Sequence, residues 1–178
     1  MRVPFTELAD LVTTDALRKV LQRLRLHNDY IVVDTWTYFH DQSLAVLDMA
    51  VRILLLANSE LTTIKNVRLF LEVAEALGYP PEKIVLVLNH VEGRAGISAQ
   101  DIQRSINHSV ATTVVSDPQA VLSAVNRGVP FVLGHKDSQI SRNVHDLATL
   151  LVGGSAPARS GVTPAKGDAT RTIKKKSI

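Results

Sequence analysis

The sequence predicts an α/β protein, a mostly parallel sheet with helices on both faces. Short apolar runs rich in Val, Ile and Leu recur at 30–34, 52–57, 84–88 and 110–115, too short for helices and apolar on both sides. Between them lie segments whose apolar residues return every three or four positions, so strands alternate with helices as right-handed βαβ crossovers require. The chain has 178 residues, of which 46% are hydrophobic but only 4% aromatic, which suits one domain with an aliphatic core.

The absence of cysteine excludes disulfides and thiolate metal sites and favours a reducing, cytoplasmic setting. The longest purely apolar runs, such as Ile53 to Ala57, are five residues, against roughly 20 needed to span a bilayer, so no transmembrane helix is expected. The formal charge of +3 is unevenly placed. From Gly153 onward there are six Lys/Arg and one acid, a tail of +5, which leaves 14 basic and 16 acidic residues in the body. The basicity belongs to the tail, so a nucleic-acid-binding fold is not implied.

Met1 to Asp10 shows no period, and Pro4 argues against an early helix. Thr13 or Thr14 can cap a helix to about His27, with Leu17, Val20, Leu21 and Leu24 on one face. Strand 30–34 follows, then a polar and aromatic loop to Gln42. Ser43 or Asp41 caps a short helix through Ala50, and 52–57 is a second strand. A longer helix spans about Leu61 to Leu77, with Ile64, Val67, Leu71 and Ala74 inward and Gly78 past its end; Pro80 and Pro81 enforce the stop. Strand 84–88 leads to the loop Asn89 to Gly96. Ser98, with Asp101 three residues on, opens a helix that faces Ile102 and Ile106 inward. Strand 110–115 is followed by Asp117-Pro118, an N-cap and N1 pair, and by a helix that ends at Gly128. Pro130 to Leu133 reads as a short edge strand. Ser138 opens a last helix with Ile140, Val144, Leu147 and Leu151 on one stripe. The domain is expected over 1–152, and 153–178, poor in apolar residues, as a disordered basic tail able to make weak contact with a membrane surface.

No G-x-x-x-x-G-K-[ST] and no G-x-G-x-x-G occurs, so no phosphate cradle can be built from these residues alone. The six histidines lack H-x-x-x-H or H-E-x-x-H spacing, and neither Ser43 nor Ser98 sits in a nucleophile elbow. Asp34, at the end of its apolar run, is where a parallel strand would deliver a carboxylate to the sheet's carboxyl edge, the ligand-binding edge of α/β folds.

The segments Tyr30 to Thr35, Ser43 to Ala50, Arg52 to Leu56, Leu86 to Asn89, Gly96 to Ser98, Ser116 to Pro118 and Val125 to Pro130, in this order, resemble the C-terminal half of MinD/ParA-type ATPases, and the CpaE-like proteins of pilus assembly look closest. The resemblance runs from about Leu8 to Leu151. It implies an incomplete P-loop NTPase fold of the SIMIBI class, with the P-loop strand absent. Asp34 matches the Walker B acid, the catalytic and metal-side position that holds Mg²⁺ of bound ATP, usually through water. Asn89 matches the asparagine that reads the adenine edge, or is a turn residue only. Ser116 and Asp117 fall in the second base-contacting loop, where the family commonly has a proline and this chain has Val115; Asp117 is equally readable as the helix cap. ATP and Mg²⁺ are the cofactors implied, with the alternative that this chain alone holds neither. After Asp34 the family's Pro- and Gly-containing switch is replaced by Thr35 to His40, which has no glycine.

In the family the P-loop strand lies between the strands that match 30–34 and 52–57. The resemblance therefore implies an empty slot, closed either by direct pairing of those two strands or by another chain. The expected function is that of a C-terminal fragment or half of an ATPase of pilus or secretion assembly or polar localisation, cytoplasmic or peripheral to the inner membrane, unable to hydrolyse ATP alone. Its expected partner is a protein: the missing half, a second copy or a pilus or secretion component. The alternative is a non-catalytic MinD-like interaction module. A receiver domain fits poorly, since Leu133 to Lys136 is a weak version of its late lysine.

Overall fold

The structure is a computed structural model, which describes residues 12–35, 39–91 and 97–153. Its frame is a three-stranded parallel sheet of β1 (Ile53–Ala57), β2 (Ile84–Val91) and β3 (Val110–Val115) in the order β1-β2-β3. The helices are α1 (Thr14–Arg25), α2 (Asp41–Met49), α3 (Leu61–Ala76), α4 (Ala99–Ile106), α5 (Pro118–Arg127), the single turn α6 (Phe131–Gly134) and α7 (Gln139–Leu151), with a 3₁₀ turn at Pro81–Lys83.

Alternation along β2 divides the core. Leu86 and Leu88 join Ala57, Ile64, Val67, Ile102 and Ile106 beneath α3 and α4. Val85 and Val87 join Val114, Ala120, Ile140 and Leu147 beneath α5 and α7. A strand apolar on both sides is what a parallel sheet sandwiched between helices needs. Helices therefore cover both faces of the sheet, as the alternation of segments predicts.

The predicted helix signals hold at the atomic level. Thr13, Ser98, Asp117 and Ser138 each accept a backbone N–H of the first turn with a side-chain oxygen. Gly78 and Gly128 end α3 and α5 at φ of 75° and 62°, the left-handed region in which glycine escapes the Cβ clash. At α2 the expected cap is not found: the N-cap is His40, without a side-chain cap bond, while Asp41 lies in the first turn and Ser43 is buried.

Two expectations are overturned. Residues 30–34 form no strand and belong to no sheet ladder, with Val32 96% exposed. A strand is held by its ladder, and among the described residues no strand pairs with this run, so apolar composition alone does not make it one. Residues 130–133 are not an edge strand: Leu133 and Gly134 both donate to the Pro130 carbonyl, closing a helical turn. A four-residue apolar run carries no period that separates the two. On α1, Leu21 is buried but Val20 and Leu24 are exposed, because α2 is its main neighbour and covers only part of the stripe.

The α1–α2 pair is tied to the body by polar contacts at Asp48. The Tyr79 hydroxyl donates to Asp48 Oδ1 at 2.5 Å and Lys83 Nζ donates to the Asp48 carbonyl at 3.2 Å, while Arg18 of α1, 3.8 Å from Asp48 Oδ2, joins the two helices to each other. Phe39 stacks on Phe70 of α3 with ring centroids 5.4 Å apart. No helix of the described residues is long and apolar enough to cross a membrane. The tail beyond Gly153 and the loop residues Trp36 to Tyr38 lie outside the described residues.

Candidate functional site

Three parallel strands end at one edge, and two of those ends carry predicted site residues. Asn89 is half-buried near the end of β2. Between Leu88 and Val91 the β2–β3 register shifts: β2 advances three residues where β3, from Thr113 to Val115, advances two. The irregularity thus falls between Leu88 and Val91, where a bulge bends the backbone at the end of the strand. On the adjacent strand Val115 leads into Ser116 and Asp117, both half-buried. Asp117 Oδ1 accepts the Ala120 N–H at 3.0 Å, so this residue is the α5 cap that the alternative reading gave it. One carboxylate oxygen bonded to the backbone leaves the other able to accept from a ligand.

Asn89, Ser116 and Asp117 are therefore brought together by topology at adjacent strand ends. Asp34 is not. It lies exposed on the unpaired segment, without a strand to hold it at the sheet edge. Among the described residues no group of three or more His, Asp or Glu side chains could hold a metal. Mg²⁺ at a nucleotide site takes one or two carboxylates together with phosphate oxygens and water, so Asp34 has the right chemistry but is not held at the strand ends where the other residues gather. The strand-end amide, hydroxyl and carboxylate do suit a purine edge, which offers both donors and acceptors.

One residue at this edge escaped sequence reasoning. Asn143, on α7, is fully buried, and its Oδ1 accepts the Val115 N–H at 3.3 Å. Its signal was present: an asparagine three residues after Ile140 on the inward stripe is out of character for an aliphatic core. Asn58, at the end of β1, accepts the Glu60 N–H at 3.4 Å and shapes the turn into α3.

No protein-family profile matches the chain. Among curated proteins it is similar to the septum site-determining protein MinD of Thermotoga maritima, 24% identical over 173 residues that cover 93% of this chain and 63% of that one. Among solved structures it is similar to a ParA family ATPase from Chlorobium tepidum, with TM-score 0.75 and 17% identity over 84% of this chain and 61% of the other. MinD in the MinC:MinD cell division complex of Aquifex aeolicus gives 0.72 and 21%, covering 83% and 62%. MinD of Pyrococcus horikoshii with Mg-ADP gives 0.67 and 17%, covering 85% and 63%. The fold of the MinD/ParA ATPases thus extends over most of this chain, and the chain spans about 63% of the length of the curated relative it matches.

Proposed function

We propose that these residues are the Walker B half of a MinD/ParA-type ATPase domain, and that they act on ATP only when a P-loop is supplied from outside them. The observation that carries this reading is the union of that fold with Asn89 and Ser116–Asp117 at neighbouring strand ends. Support comes also from β1: Leu54 and Leu56 face the same way as Val85 and Val87, yet remain 40% and 56% exposed. A bare, uncharged parallel edge is a surface that folded proteins ordinarily cover. In the assembled state segment 30–34 becomes a strand and Asp34 meets the Mg²⁺ of ATP. The role we assign is in pilus or secretion assembly or polar localisation, in the manner of CpaE-like proteins, at the cytoplasmic side of the membrane.

The test is ATP turnover with and without Mg²⁺. The purified chain is expected to be inactive, and to gain Mg²⁺-dependent hydrolysis when joined to a polypeptide carrying a G-G-x-G-K-T-type loop and its strand. Asp34→Asn should then abolish that gain. Strong turnover by the chain alone overturns the proposal. The DNA upstream of Met1 offers a second check, since such a loop in any frame there supports it. The exposed position of Asp34 favours one rival, a non-catalytic interaction module; failure of every P-loop partner to restore nucleotide binding would select it.

A further inference from the structure

We propose that Asn143 is a positioning residue of this site: its amide grips the end of β3 and so sets the turn that carries Ser116 and Asp117. The inference rests on the nucleotide reading only for what that turn would bind. Three observations converge on it. β3 is the outer strand of the sheet, and the N–H of its last residue, Val115, is taken by the Asn143 side chain rather than by another strand. Two residues on, Asp117 Oδ1 holds the Ala120 N–H, so the turn is pinned on both sides of Ser116. Asn143 itself stands between Ile140 and Leu147, both buried against the sheet, on a helix whose first turn is tied down where Ser141 Oγ donates to the Phe131 carbonyl.

The other half of the amide identifies why asparagine is there. Asn143 Nδ2 is buried and has no hydrogen-bond partner among the described residues. A buried donor without an acceptor is destabilising, and leucine, of similar size, would fill the same space without that cost. The residue therefore serves through its acceptor, Oδ1, and not through packing. With that oxygen gone, the half-buried Val115 loses the acceptor for its N–H and the turn is free to rotate away from the strand end.

The primary measurement uses the wild-type chain. A scalar coupling across the hydrogen bond from Val115 N to Asn143 Cγ is expected by NMR, and its absence overturns the proposal. Asn143→Leu should speed exchange of the Val115 amide by about threefold to tenfold, the range set by one ordinary hydrogen bond. It should also shift the Ser116 and Asp117 amide resonances while those of β1 stay in place. Asn143→Asp, which keeps an acceptor, should restore Val115 protection. Unchanged exchange in Asn143→Leu, or no rescue by Asp, counts against the assignment. ATP titration separates this from the functional reading: if ATP moves no Ser116 or Asp117 resonance while the exchange results stand, the nucleotide reading fails and the positioning role survives.

Discussion

At the scale of single residues, the polar contacts that end and join helices are the most readable part of the chain. Ser98 accepts the Asp101 N–H at 3.1 Å, and its own hydroxyl donates to Asp101 Oδ2 at 2.6 Å. Ser98→Ala should lower unfolding free energy by about 1 kcal/mol, measured by denaturant titration, with m unchanged. This cap was legible because both partners lie within one turn of each other. Tyr79 was not, since its partner Asp48 is 31 residues away. Burial, followed by the hydrogen bond to Asp48 and repulsion from its charge, pushes the Tyr79 hydroxyl up to about 12 from 10.0. A raised pKa means that the neutral hydroxyl is favoured in the folded state. The stabilisation is therefore full below pH 10 and lost as pH climbs towards 12. Thermal melts should show the wild type losing more stability than Tyr79→Phe across that window; parallel curves would contradict the assignment.

At the scale of elements, β2 behaves as its composition says and 30–34 does not. Leu86 is fully buried between β1, β3 and the α3–α4 layer. Leu86→Ala should cost about 2–5 kcal/mol of unfolding free energy, among the largest effects of any truncation here. The difference between the two runs lies in their neighbours, which sequence pattern does not report. Local composition says that a run can be a strand; only the ladder makes it one. Amides of 31–35 should accordingly exchange without strand-like protection in the free chain, while those of Leu86 to Leu88 exchange by global unfolding. The same logic holds at the strand ends: the placement of Asn89, Ser116 and Asp117 at the ends of β2 and β3 was legible from the strand pattern, whereas Asn143 reaches the end of β3 only by the packing of α7 across it.

At the scale of the whole molecule, the helices α5 to α7 cover β2 and β3 on one face but stop short of β1, which leaves Leu54 and Leu56 open to solvent. The double substitution Leu54→Lys with Leu56→Lys should reduce concentration-dependent association in sedimentation, and should weaken any gain of activity from a P-loop partner. Equal association in wild type and variant would mean that other surfaces dominate. If the proposed partner caps this corner in a cell, the corner would act as a clock. An uncovered apolar strand is what chaperones hold and proteases seize, so the abundance of this chain should follow that of whatever caps β1. A pulse-chase with and without that cap would read the half-life directly, and the two polypeptides would then be kept in proportion by degradation rather than by matched synthesis.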